Sequence, residues 1–245
     1  MRISVFFTPL AVNHGSIGGK PTLVVDVLRT NTSIITALAN GARAVVPVET
    51  ADEAMGVAQN LESDATVLAG ELKGQRVEGF DIGSSPADMT AELVQGKTIV
   101  FASLNAAAAY HATGAARPVF VGAAVNFSAA AVRARADFDA AGELVIVCAG
   151  REKMFALEDA YAAGRFVQSL AAGRGRGAVE FNDAAIAARE LVRRYGDRWR
   201  RAISASAAAK ALKLAGFKGD VEIAVEADKY DIVPSYSNKL ISLET

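Results

Sequence analysis

The strand-like segments of this chain are apolar along their whole length and do not alternate between apolar and polar residues. A strand of that composition is buried on both faces, which requires a sheet with helices packed on each side. Helical patterns follow most of these segments, as expected when crossover helices join parallel strands. The sequence therefore predicts an α/β fold with three α/β/α layers and a mostly parallel, mixed sheet. The predicted strands are residues 3–8, 22–27, 44–48, 66–69, 98–102, 118–122 and 144–149.

The alternation of strands and helices changes near residue 173, where a turn rich in glycine and arginine begins. We expect a single domain over residues 1–245, with the main α/β part at residues 1–172. The remainder, residues 173–245, is expected to be a smaller C-terminal α+β subdomain packed on the same sheet. Its predicted elements are helices at 183–195 and 204–214 and strands at 221–225 and 239–243.

Composition narrows the classes of protein to consider. The formal net charge is −1, whereas nucleic-acid-binding proteins are usually basic, so no nucleic-acid partner is expected. Cys148 is the single cysteine, which fits a reducing cytoplasm, and its place at the end of an apolar segment favours a core residue over a nucleophile. No apolar run approaches the roughly 20 residues that span a bilayer. We expect a cytoplasmic protein, and its alanine-rich helices leave room for close packing in a homodimer.

Several common catalytic motifs are missing. No GxGxxG follows a strand and no GxxxxGK[ST] occurs, so neither a dinucleotide fingerprint nor a P-loop is indicated. The absence of GxSxG argues against a serine hydrolase of the usual kind.

Residues 22–42, TLVVDVLRTNTSIITALANGA, combine a buried strand, a polar turn and the start of a helix. The first amides of a helix lack partners and its dipole favours negative charge, so this arrangement predicts an anion site. An ordinary alternative is a helix capped by Asn31 or Thr32, with Asp26 and Arg29 as a structural ion pair. The polar groups of the turn are Asp26, Arg29, Thr30, Thr32 and Ser33.

Other polar residues also follow predicted strands, and ligands of open parallel sheets bind beyond the carboxyl ends of the strands. The loop 71–86 is longer than most connections, as functional loops often are. Carboxylates gathered near Arg29 predict a Mg²⁺ site that handles a phosphate. For Glu158 and Asp159 the alternative is stabilisation of a helix N-terminus. The residues concerned are Glu71, Asp81, Ser84, Ser85, Ser103, Asn105, Glu158 and Asp159.

Three stretches together resemble the 2-phosphosulfolactate phosphatase family, Mg²⁺-dependent phosphatases of coenzyme M biosynthesis. They read VVDVLRTNTSIITALANGA, GELKGQRVEGFDIGSSP and CAGREKMFALEDAYAAG, and DVEIAVEADKYDIVP is a weaker match. Their order and spacing cover nearly the whole chain. The resemblance implies a three-layer α/β fold and hydrolysis of the phosphate ester of a small sulfonated or carboxylated acid.

The chain departs from the family pattern at residues 102–108. The family's threonine-rich TTNGT-like turn is replaced by ASLNAA, which keeps Asn105 but loses hydroxyl groups and a glycine. Smaller changes turn DVLRATT into DVLRTNTS and GNSP into GSSP. These departures leave two alternatives open: a non-catalytic relative that binds a small anion, and a phosphatase with a different small phospho-acid substrate.

Our first hypothesis remains a Mg²⁺-dependent phosphatase that acts on a small phosphate ester such as 2-phosphosulfolactate. The roles are assigned as follows: catalysis by Asp26, Arg29, Glu71 and Asn105; phosphate binding by Arg29, Thr30, Thr32, Ser33, Ser84, Ser85 and Ser103; Mg²⁺ binding by Asp26, Glu71, Asp81, Glu158 and Asp159.

Overall fold

A computed structural model describes residues 1–72 and 74–243, with the side chain of His14 excepted. Within these residues the chain forms a sheet of eleven strands and eleven α-helices. The strands are β1 Arg2–Phe6, β2 Thr22–Val25, β3 Ala44–Val48, β4 Thr66–Leu72, β5 Gln75–Arg76, β6 Thr98–Ala102, β7 Val119–Gly122, β8 Glu143–Cys148, β9 Glu180–Phe181, β10 Ser235–Ser237 and β11 Leu240–Ser242. The helices are α1 His14–Ile17, α2 Thr30–Ala39, α3 Ala51–Ala58, α4 Ala91–Val94, α5 Leu104–Ala112, α6 Phe127–Ala141, α7 Leu157–Ala171, α8 Asp183–Tyr195, α9 Trp199–Ala205, α10 Ala207–Leu214 and α11 Lys218–Ala224.

The strand order is β5-β4-β6-β3-β11-β10-β7-β2-β8-β1-β9. The long strands pair in parallel: β2 lies between β7 and β8, and β3 and β4 flank β6. Antiparallel pairing is confined to β5 and to the β10–β11 hairpin, which joins β7 to β3. The predicted α/β fold with a mostly parallel, mixed sheet is confirmed.

The sheet carries a separate core on each face, because successive residues of a strand point to opposite sides. Leu23 and Val25 pack into a cluster that includes buried residues of α6, α7 and α8, whereas Val24 packs with residues of α2 and α5 on the other side. A smaller third cluster lies beneath α3. Residues on both faces of these strands are therefore apolar, because helices cover both sides of the sheet.

Gly70 brings the long loop after β4 close to the end of β6. A Cβ atom at this position would lie 2.8 Å from the carbonyl oxygen of Ala102, and the backbone φ is +156°. Only glycine fits such a close approach in this conformation. The end of β4 is thus held against the end of β6 at the carboxyl edge of the sheet.

Several predicted elements were wrong. Residues 221–225 lie almost entirely in helix α11 and do not form a strand, because Val221 and Ala224 are buried at helical spacing. The predicted helix 204–214 is divided at Ser206 into α9 and α10.

The C-terminal segment contributes directly to the central sheet. Its hairpin lies between β7 and β3, where Ile241 pairs with Val45 and Ser235 with Phe120. The division into a main part and a C-terminal subdomain stays a prediction. Among the helices of the described ranges, none has the length and apolar character needed to cross a membrane.

Candidate functional site

Three buried carboxylates meet where β2 and β8 end. Asp26 follows β2, while Glu158 and Asp159 lie in the first turn of α7, which follows β8. Each of the three is at most 5% exposed. Because β2 and β8 are parallel neighbours, their carboxyl ends bring these side chains together.

Hydrogen bonds fix two of these carboxylates. Asp26 Oδ1 accepts a hydrogen bond from the Thr30 amide, 3.2 Å away, at the start of α2. Asp159 accepts from the amides of Val27, at 2.8 Å, and Gly150, at 3.0 Å, and so joins the two loops that follow β2 and β8. Asp159 therefore does more than stabilise its own helix terminus, which was the alternative interpretation.

Burial raises the pKa of all three groups, and repulsion by neighbouring carboxylates adds to the effect for Asp26 and Asp159. Burial, followed by the charge of Glu158, raises the pKa of Asp26 to about 7. Burial is also the main cause of the raised pKa of Glu158. The pKa of Asp159 is raised by burial and then by the charges of Asp26 and Glu158. Clustered buried carboxylates of this kind are typical of functional sites.

Arg29 lies beside this cluster, after a cis Leu28–Arg29 peptide bond, and is only 6% exposed. Its Nη1 donates to Asp220 Oδ2 at 2.6 Å, and its Nη2 pairs with Glu71. The guanidinium also stacks on Phe217, 4.7 Å from the ring centroid. The predicted Asp26–Arg29 ion pair is not formed, since Arg29 pairs with these other two carboxylates.

The start of α2 has free backbone donors. Within the described residues, no acceptor is found for the amides of Asn31 and Thr32, as is usual in the first turn of a helix. Neither side chain caps the helix: Asn31 Nδ2 donates to the carbonyl of Val24 at 2.9 Å, and Thr32 Oγ1 donates to that of Val27 at 2.8 Å. The alternative in which these two residues are simple caps does not describe this helix.

The predicted hydroxyl groups fall into two sets. Thr30 Oγ1 and Ser103 Oγ lie 2.8 Å apart beside the start of α2, so the altered 102–108 turn still contributes a hydroxyl here. The hydroxyl of Ser33 donates to the carbonyl of Ser84, at 2.7 Å, and that of Ser85 donates to Asp220, at 2.6 Å. This second set connects the 82–88 segment to α2 and α11.

Three predicted residues make contacts outside the carboxylate cluster. Glu71 pairs with Arg29, as described above. Asp81 is exposed, and its carboxylate accepts from the Leu68 amide at 2.8 Å. Asn105 Oδ1 accepts from the amide of Glu152 at 3.0 Å and holds the 150–154 loop. Glu71 and Asp81 therefore do not belong to the carboxylate cluster of Asp26, Glu158 and Asp159.

Two cavities flank the site. One, of about 270 Å³, is lined by Arg29, by residues 74–76, by the 82–88 segment and by Phe217. The other, of about 250 Å³, is lined by Glu158 together with Arg151, Phe155 and the start of α10. Both the arginine and the carboxylate cluster are thus adjacent to space for a ligand.

The carboxylates suit Mg²⁺ by their chemistry, because it prefers hard oxygen ligands. Their mutual repulsion is also of the kind that a bound cation relieves. In the part of the chain that the structure describes, no group of three or more His, Cys, Asp or Glu side chains is arranged around a metal position. Mg²⁺ sites commonly use only one or two protein carboxylates, completed by water and substrate phosphate, so the donor set fits.

Sequence reasoning missed Asp220, Phe217 and Arg76. Asp220 is 3% exposed and holds both Arg29 and Ser85. It lies in the tail segment DVEIAVEADKYDIVP, whose weak match to the family pattern was the only signal available. Its partners are 135 and 191 residues away, a separation that no local pattern reveals.

Comparison with known proteins gives a consistent result. The sequence model of the family described as 2-phosphosulpholactate phosphatase matches residues 6–239. The chain is 32% identical over 241 residues to a probable 2-phosphosulfolactate phosphatase of Caldanaerobacter subterraneus subsp. tengcongensis, covering 98% of each chain. A protein of the same name from Symbiobacterium thermophilum is 34% identical over 228 residues, which cover 93% of this chain and 95% of the relative. Another, from Clostridium acetobutylicum, is 29% identical over 238 residues, which cover 97% and 98%.

Fold and site define an α/β protein with three buried carboxylates, a buried arginine and the start of a helix at the carboxyl edge of its sheet. The chain belongs to the 2-phosphosulfolactate phosphatase family.

Proposed function

We propose that the protein is a Mg²⁺-dependent phosphatase that converts 2-phosphosulfolactate, a small anionic phosphate monoester, to sulfolactate and phosphate. The observation that carries the proposal is the meeting of three buried carboxylates with Arg29 and the free amides of α2 at one end of β2. The carboxylates suit a cation and an attacking water, while the helix start suits a phosphate. Membership of the family supports the choice of substrate.

The phosphate group would bind at the start of α2. The amides of Asn31 and Thr32 are available as donors, and the hydroxyls of Thr30 and Ser103 lie beside them. Arg29 adds a positive charge, with Nη1 held by the buried Asp220 and Nη2 paired with the more exposed Glu71. Donors fixed in place before the substrate arrives stabilise the charge of the transferring phosphoryl group.

Mg²⁺ would be held by Glu158 and Asp159 and would neutralise negative charge on the phosphoryl oxygens. Asp26 adjoins both this pair and the start of α2, so it would accept the proton of the attacking water. Its pKa, raised to about 7 by burial and by Glu158, lies near the value that suits a general base. Attack of water on phosphorus forms the new P–O bond and breaks the P–O ester bond. The leaving alkoxide takes a proton from solvent, and Asp26 releases to solvent the proton that it accepted. Glu71 and Asp81 take no part in this proposal because they contact other groups.

The test is phosphate release from 2-phosphosulfolactate and a panel of small phosphate esters, with Mg²⁺ and with EDTA. We expect release that requires Mg²⁺ and falls at least about a hundredfold in Asp26→Asn. Glu158→Gln should lose the thermal stabilisation that Mg²⁺ gives, whereas Asp26→Asn should keep part of it. No release from any ester by folded protein would instead favour a relative that only binds small anions.

We also propose that the protein is cytoplasmic, acts on a small molecule without a nucleic-acid partner, and forms a homodimer. Cys148 is free and buried, which is compatible with a reducing cytoplasm. The near-neutral charge supports a small-molecule substrate without a nucleic-acid partner. The predicted homodimer can be tested by light scattering of the purified protein.

A further inference from the structure

The cavity of about 270 Å³ next to Arg29 is larger than the proposed phosphate position requires. Its size is just below the range of about 300 Å³ upwards that is typical of pockets for drug-sized ligands. It therefore suits a group of a few heavy atoms. It lies between residues 74–76, the 82–88 segment, Arg29 and Phe217.

Two residues of its lining each carry a buried polar atom that lacks a hydrogen-bond partner among the described residues. These atoms are Arg29 Nε and Ser84 Oγ, and their residues are 6% and 4% exposed. Buried polar groups are almost always hydrogen-bonded, so two orphans on one cavity point to a ligand with acceptor atoms. Both atoms can donate a hydrogen bond.

Arg76 adds a positive charge to the same cavity. Its Nη1 donates to the backbone carbonyl of Asp81 at 3.0 Å, which orients the side chain without neutralising it. Among the described residues, no carboxylate lies within ion-pair distance of its guanidinium. Arg29, in contrast, is already paired with Asp220 and Glu71. An arginine without a carboxylate partner is suited to bind a planar or tetrahedral oxyanion.

Two carboxylates also line the cavity and oppose an anion there. That of Asp81 is engaged with the Leu68 amide at 2.8 Å. Asp88 lies across Gly83 from Arg76, since a Cβ on Gly83 would be 3.5 Å from Asp88 Oδ2 and 3.8 Å from Arg76 Cβ. Asp88 thus places a negative charge near the proposed ligand. Replacing Asp88 by a neutral residue should strengthen binding of an anion, whereas replacing Arg76 should weaken it.

We propose that this cavity binds an acidic group of the substrate other than its phosphate, namely a sulfonate or a carboxylate. Arg76 and Ser84 are the residues that select for this group. The inference rests on the proposed function, in which the phosphate lies at the start of α2. Arg29 lies between the two positions, lining the cavity while its charge acts on Asp26. A substrate with two anionic ends would then span Arg29.

The first experiment compares kcat and KM for 2-phosphosulfolactate, 2-phospholactate and isopropyl phosphate, which has no second acid. We expect Arg76→Gln to raise KM for the two acid-bearing esters about tenfold or more, and to affect isopropyl phosphate much less. Ser84→Ala should act in the same direction, and Asp88→Asn should lower KM for the acid-bearing esters. Arg193→Gln, which removes an exposed arginine of α8 paired with Glu190, is the control.

Equal losses by Arg76→Gln on esters with and without the second acid would overturn the inference while leaving the phosphatase activity established. A wild-type protein that hydrolyses none of the esters would contradict the proposed function instead. In that case sulfolactate, which has no phosphate, is added to wild-type protein and to Arg76→Gln in a thermal-shift measurement. Stabilisation that is lost in the variant supports the acid site, and stabilisation that is equal in both overturns it.

Discussion

At the scale of single residues, the raised pKa of Asp26 makes the stability of the metal-free protein depend on pH. The pKa is about 7 in the folded protein, against 3.8 as the ordinary value, so the folded state holds this proton more tightly than the unfolded state does. The free energy of unfolding should therefore fall as pH rises from about 4 to about 7 and level off above. Raised pKa values at Glu158 and Asp159 act in the same direction.

We expect Asp26→Asn to weaken this pH dependence and to unfold at higher denaturant concentration than wild type at pH 8 in EDTA. The physical reason is that an amide carries no charge that burial and neighbouring carboxylates oppose. Urea unfolding at pH 5 and pH 8 measures the effect. Identical pH dependence in the two proteins would contradict it.

Asp220 is the buried partner on which the position of Arg29 depends. Asp220→Ala should lower the free energy of unfolding by about 3 kcal/mol, because it leaves Arg29 buried with one ion-pair partner fewer. Glu222→Ala is a matched control on the same helix: its ion pair with Arg200 is largely exposed, and its loss should change stability much less than the loss of Asp220 does. Chemical denaturation measures the free energy of unfolding of both variants. Equal losses would contradict the expectation that the buried ion pair contributes more than the exposed one.

The residues that the sequence identified at this scale are those that follow strands. Asp26, Asp159 and Ser103 could be predicted to lie close together because parallel strands end at a common edge. Their exact partners could not, since Asp159 bonds to Val27 across 132 residues. Asn31 shows the same limit. Asparagine is a common capping residue, but the side chain of Asn31 accepts a hydrogen bond from the Tyr110 hydroxyl and lies in the core.

At the scale of secondary-structure elements, the packing of α7 on α8 depends on Gly164. A Cβ at this position would overlap the carbonyl of Ala188 and lie 2.9 Å from Val192 Cγ2. Gly164→Ala should therefore destabilise the protein by about 3 kcal/mol, because backbone of α8 must move to admit the methyl group. Gly56→Ala on exposed α3 meets no atom within 4 Å and should stabilise by up to about 1 kcal/mol. Thermal unfolding of both variants checks the expected opposite signs.

The elements predicted correctly are those with strong local signals. Thr50 accepts from the Glu53 amide at the start of α3, and Ser85 accepts from that of Ala87 before a short helix, as is typical of threonine and serine at a helix N-cap. Residues 221–225 were misassigned because Val-Glu-Ile-Ala-Val satisfies both strand and helix patterns over so few residues. Asn126 precedes α6 but does not cap it, since its amide joins Val121 to Ile232 in the C-terminal segment. Contacts with distant parts of the chain therefore determine the structure at residues 221–225 and the hydrogen bonds of Asn126.

At the scale of the whole molecule, the last strands of the chain complete the middle of the sheet. Without the β10–β11 hairpin, β3 and β7 would each present an unpaired edge at the centre of the structure. Tyr236 also stacks on Tyr110, with ring centroids 5.0 Å apart, and Tyr110 donates to Asn31 in the first turn of α2. The C-terminal hairpin is therefore connected to the helix that would bind phosphate, a long-range link that strand patterns alone do not predict.

This arrangement makes the final strand necessary for folding of the complete sheet. Ile241 is fully buried and pairs with Val45, whereas its neighbour Leu240 is 40% exposed. Ile241→Asp should destabilise by more than about 4 kcal/mol, because it buries an unpaired charge between two halves of the sheet, while Leu240→Asp should change stability by less than about 1 kcal/mol. Denaturant unfolding, with size-exclusion chromatography to detect association through the exposed edges of β3 and β7, compares the variants. If Ile241→Asp unfolded like wild type, the hairpin would be a peripheral addition, and the two halves of the sheet would be held together by their helices.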